Sequence, residues 1–212
     1  MDKLYITQEQ FSDALDKIYG QVINGISGSK TCHDLASEYL LKYPDVEKAI
    51  NIFSKTQITK CAVSGFVTSL GGAITLPVAI PANLASVLYI QMRSIVTIAV
   101  MSGYDPKDDE VQTLTYVCLT GLSISNVCKE VGIQFSKKIG VAAIRKIPTE
   151  VLKSINKRLA FRFITKFGEK GLINLGKMVP VLGGVIGGGF DYIGTKAITS
   201  KAKKVFLLEE IE

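Results

Sequence analysis

Apolar positions in this chain recur at helical spacing and are punctuated by capping residues, prolines and glycines. Thr7 followed by Gln10 fits a capping box, and Phe11, Leu15, Ile18, Val22 and Ile26 then fall on one helical face, ending before Ser27-Gly28-Ser29. A second short helix is expected over Cys32 to Leu41, where Leu35, Tyr39 and Leu40 share a face and Pro44 closes it. Asp45 is placed to cap a third, which runs through Ile50, Phe53 and Ile58.

That third helix leads into the longest feature of the pattern. From Cys61 to Met92, thirty-two residues pass with no ionisable side chain except the Cys61 thiol and the Tyr89 phenol. About 20 apolar residues suffice to span a bilayer core. Pro77 and Pro81 interrupt the run, each removing a helical hydrogen bond and constraining the residue before it, so the pattern predicts two helices joined at a bend. The second, from Ala82 to Met101, carries Arg93 near its centre. An arginine there costs about 2.5 to 3.5 kcal/mol on insertion, so it is expected to face protein or water. The sequence leaves open a buried hairpin in a helical core and a membrane-inserted one.

Beyond Gly103, Asp105-Pro106 is expected to start another helix, with Asp105 as cap, Pro106 in the first position and Asp108, Asp109 and Glu110 in the first turn. Val111 to Cys128 is again without formal charge, Pro148-Thr149 restarts a helix through Phe167, and a last helix follows Pro180. No alternation of period two is sustained. The expected fold is all-α: a compact multi-helix single domain over 1–212 with a proline-broken hydrophobic hairpin and a C-terminal glycine-rich helix.

Charge is distributed unevenly. The chain has 212 residues, 47% of them hydrophobic and 21% charged, with a net charge of +6. Residues 129–177 hold twelve basic and three acidic side chains, a net of +9 that exceeds the whole chain's. Within it Arg158, Arg162, Lys166 and Lys170 follow at steps of four beside Lys153 and Lys157, forming a cationic stripe opposite Leu152, Ile155, Leu159, Phe163 and Phe167. Like charges at that spacing repel, so an anion is expected to compensate them. Lys137, Lys138, Arg145 and Lys146 extend the anion-binding candidates. The partner is expected to be an anionic lipid surface, or the phosphates of a nucleotide or single-stranded oligonucleotide. Phe161, Phe163 and Phe167 read as core rather than as base-stacking platforms, and duplex DNA is not an expected partner.

Candidate chemistry is otherwise sparse. Cys32, Cys61, Cys118 and Cys128 form no C-x-x-C pair and are expected to be free and buried. The one histidine, His33, adjoins Cys32 and points away from it on a helix. No G-x-S-x-G elbow, P-loop or metal-ligand spacing is present, so neither an enzyme nor a cofactor is expected. Gly183 with Gly187, and Gly184 with Gly188, form two overlapping G-x-x-x-G pairs suited to close helix contact and oligomerisation. Residues 1–10 carry no signal-peptide pattern, so any membrane contact is expected from the cytoplasmic side.

Several of these residues also carry a resemblance. Gly71-Gly72 through Pro77, Pro81-Ala82-Asn83, Gln91-Met92-Arg93 and Gly103-Tyr104-Asp105-Pro106, followed by Val179-Pro180-Val181-Leu182-Gly183-Gly184-Val185-Ile186-Gly187-Gly188, resemble the EcsC family of bacterial proteins over residues 45–205, with 1–44 as a helical extension. Members often have Asp where this chain has Asn83, so a role that needs a negative charge there does not carry over. The resemblance implies a helical protein at the bacterial inner membrane or its cytoplasmic face, with no settled enzymatic activity. It also implies a likeness to membrane effectors of phage-defence operons, homo-oligomeric channels controlled by a nucleotide; the alternative expectation is a non-conducting peripheral membrane accessory protein that binds a transporter or other partner. Gln91, Arg93 and Asn83 are then the buried polar or pore candidates.

Overall fold

The computed structural model describes residues 7–62, 82–122, 124–133, 144–162 and 185–207, and of 60–62, 82–84, 127 and 185–193 it describes the backbone alone. These residues form helices α1 (Gln8–Asn24), α2 (Cys32–Lys42), α3 (Val46–Ala62), α4 (Ala82–Met101), α5 (Asp109–Thr120), α6 (Ile124–Glu130), α7 (149–162) and α8 (Val185–Phe206). No strand occurs among the described residues, and the fold is all-α. The expected bend at Pro77 and Pro81 lies outside them.

Local chemistry sets the helix starts. The Thr7 hydroxyl accepts the Gln10 N–H (3.2 Å) while the Gln10 side chain accepts the Thr7 N–H (3.0 Å), the capping box read from the sequence. Thr31 and Asp34 make a second box, at 3.1 and 3.0 Å, ahead of α2. Asp45 caps α3 by accepting the Lys48 N–H (2.6 Å). α4 stops where Gly103 adopts φ +87°, with Tyr104 N–H returning to the Ala99 carbonyl (3.0 Å), and α5 stops at Gly121 with φ +67°.

α5 begins one turn later than Asp105-Pro106 suggests. Asp108, not Asp105, is its N-cap, and only Asp109 and Glu110 occupy the first turn. Tertiary contact explains the shift. The Pro106 carbonyl, which a helix starting there would use internally, accepts the Tyr19 hydroxyl of α1 (2.8 Å), and Asp105 closes a turn by accepting the Lys107 N–H (2.9 Å).

α4 is the axis of the assembly, packed against α1, α2, α3, α5 and α8. Ser94 to Ala99 are buried one after another. Six successive residues sweep more than a full turn of 3.6 residues, so this stretch has no solvent face. The same holds for Thr113 to Thr120 in α5. The uncharged segments that are described are therefore core, enclosed by the chain's own helices. Among the described residues no helix is long and apolar enough to cross a membrane.

Burying hydroxyls in such helices is costly unless they are hydrogen-bonded. Five of them find a carbonyl in their own helix: Ser94 donates to Ile90 (2.9 Å), Thr97 to Arg93 (2.7 Å), Thr113 to Asp109 (3.0 Å), Thr115 to Val111 (2.8 Å) and Thr120 to Tyr116 (2.8 Å).

α1 is fastened to α5 through one carboxylate. Asp16 accepts the Tyr116 hydroxyl (2.7 Å) and the Gln112 amide (2.9 Å), and burial nonetheless raises its pKa above the ordinary 3.8. A carboxyl whose folded pKa is raised binds its proton before the unfolded chain does as pH falls. Its contribution is therefore complete below about pH 3.8 and lost as pH rises through the folded value. Chemical denaturation of wild type and Asp16→Asn across pH should show the wild type losing stability relative to the variant between acid and neutral pH. A difference that does not vary with pH would contradict this placement of Asp16.

Candidate functional site

α7 places the cationic stripe. Pro148 precedes it, and its carbonyl accepts the Val151 (2.9 Å) and Leu152 (3.0 Å) N–H groups. The Thr149 hydroxyl donates to Asp109 (2.7 Å), which ties the start of α7 to the start of α5. Leu152, Ile155, Leu159 and Ala160 are buried, and the opposite face exposes Lys153, Lys157, Arg158 and Arg162, as the spacing predicts. Phe163, Lys166 and Phe167 lie outside the described residues.

The anion that compensates two of these charges belongs to the chain. Glu130, the last residue of α6, lies between Arg158 (Nη1 to Oε2, 3.6 Å) and Arg162, to which its other oxygen is paired. All three side chains remain partly exposed, so the pairing contributes only about 0 to 1 kcal/mol to stability. Lys153 and Lys157 have no ion-pair partner among the described residues, and the Lys157 carbonyl accepts the Gln8 amide of α1 (3.2 Å).

The remaining basic candidates do not join one site. Arg145 pairs with Glu110 (3.0 Å) and lies over the Tyr104 ring (5.5 Å to the centroid), so it acts as a structural tie. Lys146 is exposed ahead of α7, while Lys137 and Lys138 lie outside the described residues. The sequence assigned Phe161 to the core, and the structure corrects this: it is 48% exposed, between Arg158 and Arg162. Its position follows from the helix period, because the buried stripe passes through Leu159 and Ala160 and leaves residue 161 outside it.

Arg93, the expected interior arginine, is half-buried in α4 facing Tyr89 and Cys32, and desolvation lowers its pKa. Among the described residues its buried Nε–H has no acceptor and the fully buried Tyr89 hydroxyl has no partner. Gln91 turns elsewhere, its Nε2 lying 3.7 Å from where a Cβ on Gly194 of α8 would stand. Asn83 is in α4 with its side chain outside the described ones. Gly187 and Gly188 lie within α8, whereas Gly183 and Gly184 are outside the described residues.

The described thiols offer no reactive centre, and the Cys61 side chain lies outside the described residues. Cys32, Cys118 and Cys128 are free and buried, and desolvation pushes Cys118 up to about 12 and Cys128 up to about 11. His33 is exposed while Cys32 is buried, so the two do not pair. Among the described residues no group of side chains could hold a metal ion.

Because Glu130 holds two arginines, Glu130→Gln should free them. Thermal stability should change by no more than about 1 kcal/mol, and retention on an anionic exchanger or on anionic vesicles should increase. Unchanged retention would mean that the arginines were already available.

No curated protein and no solved structure matches the chain. The model of the EcsC protein family matches residues 6–208, which takes in α1 and α2 as well as the stretch whose motifs carry the resemblance, and the chain therefore belongs to the EcsC protein family.

Proposed function

We propose that this protein works at a membrane surface, docking on anionic lipid through the exposed face of α7. The observation that carries this reading is four cations, Lys153, Lys157, Arg158 and Arg162, on one outward face with Phe161 among them. Each basic residue near an anionic surface contributes about 1 kcal/mol, reduced here for the two arginines that share Glu130. Phe161 adds an apolar contact that salt does not screen, worth up to about 1.5 to 3 kcal/mol if its ring is fully buried. Such a combination of cations and an exposed aromatic suits the headgroup region of a bilayer.

The test is co-sedimentation of the full chain with phosphatidylglycerol vesicles and with neutral phosphatidylcholine vesicles. Binding should require the anionic lipid and fall with salt, and Lys153→Glu with Lys157→Glu should weaken it by at least tenfold while helix content is kept. Phe161→Ser should weaken binding even at high salt. Equal sedimentation of wild type and the double variant would reject α7 as the docking face.

A second reading is a homo-oligomeric ion-conducting state in bacterial antiviral defence, opened by an anionic nucleotide or single-stranded oligonucleotide. It is favoured by Ser94, Thr97, Thr115 and Thr120 of α4 and α5, whose hydroxyls are paired within their own helices and would stay paired on moving from the protein core into lipid. Gly187 and Gly188 would then give α8 a close helix contact. Liposome ion flux tests it. Conductance that appears only with the anionic ligand supports this reading, and no conductance at any protein concentration, with or without ligand, rejects it.

A further inference from the structure

α4 carries two polar groups that the fold leaves without partners, and they lie one helical turn apart. Tyr89 is fully buried with an unpaired hydroxyl, and Arg93 is half-buried with an unpaired Nε–H. Residues four apart share a helix face, and Arg93 interacts with Tyr89 and with Cys32 in the first turn of α2. A buried donor left unmade costs about 1 to 3 kcal/mol, and more when it is charged. The fold bears that cost twice on one face.

Other arginines of the chain do find carboxylates. Arg145 pairs with Glu110, and Arg158 and Arg162 share Glu130. Arg93 has none among the described residues, although it is the one inserted into the core helix. The acid beside Cys32 is Asp34, and it is committed to the α2 cap through the Thr31 N–H (3.0 Å) and hydroxyl (2.8 Å). What the face lacks is a group that only accepts hydrogen bonds and brings a negative charge.

We propose that Arg93 and Tyr89 form a binding site for a phosphate group, distinct from the α7 face. The guanidinium supplies the charge and the Nε–H, and the phenol supplies a second donor from the preceding turn. A phosphate brings both the negative charge and several acceptor oxygens to these two donors. Arg93 is partly exposed although its Nε and the Tyr89 hydroxyl are enclosed, so the anion enters from the exposed side of Arg93.

The experiment titrates the full chain with inorganic phosphate at constant ionic strength, balanced with chloride, and follows the Arg93 Nε–Hε resonance together with the unfolding temperature. A saturable shift of that resonance is expected, with the dissociation constant raised about tenfold in Tyr89→Phe and no binding in Arg93→Gln. Lys153→Glu with Lys157→Glu should leave the titration unchanged, which separates this site from α7. A phosphate effect of equal size in wild type, Tyr89→Phe and Arg93→Gln, or no saturable response at Arg93, overturns the proposal. Should Arg93→Gln fail to fold, Tyr89→Phe, which removes one atom, decides the matter. Phosphatidylglycerol vesicles at high salt give the source: binding lost in Tyr89→Phe assigns a lipid phosphate, and binding kept beside a weakened phosphate titration assigns a free one.

Discussion

Enclosure of α4 on every side is the constraint from which the other features follow. A helix with six successive buried residues needs neighbours all around it, and α1, α2, α3, α5 and α8 supply them. Each neighbour in turn needs an apolar face toward α4 and a fastening to hold its angle. Tyr19 on the Pro106 carbonyl, Asp16 on Tyr116, and Lys203 on Glu47 (2.7 Å) and Asn51 (3.1 Å) provide such fastenings. The same enclosure makes Arg93 conspicuous, because a half-buried charge in the central helix with no carboxylate among the described residues is costly to hold.

The surface shows a different economy of charge. Glu110 holds Arg145, Asp109 holds Thr149 and Glu130 holds two arginines, so the acids around α5 and α6 serve the joints between helices. Lys153 and Lys157 make no ion pair among the described residues, beside an exposed Phe161. The cationic face of α7 thus combines two arginines that share one carboxylate with two lysines that make no ion pair among the described residues.

Much of this was legible in the sequence where the cause is local. The Thr7 capping box, the Asp45 cap, the stop at Gly103 and the restart after Pro148 depend on residues within one turn of each other, and all occur as read. The α7 faces follow from period alone. What was not legible depends on contacts distant in sequence. α5 starts late because a tyrosine 87 residues away takes the Pro106 carbonyl. Glu130 lies 32 residues before Arg162, and only the packing of α6 against α7 brings them together. Phe161 could have been placed by counting from Leu159, since two residues at 100° each put it well off the buried stripe; aromatic character overrode that count. The choice between a buried and an inserted α4 lay beyond periodicity, because a helix apolar all round fits either environment.

If the chain meets a membrane through α7 while α4 stays within its own protein, hydrogen exchange along the full chain, with and without phosphatidylglycerol vesicles, will show it. Added protection should fall on residues 153–162, and exchange in α4, at 85–101, should be unchanged. Altered exchange through α4 on vesicle binding, with none at α7, would contradict that arrangement.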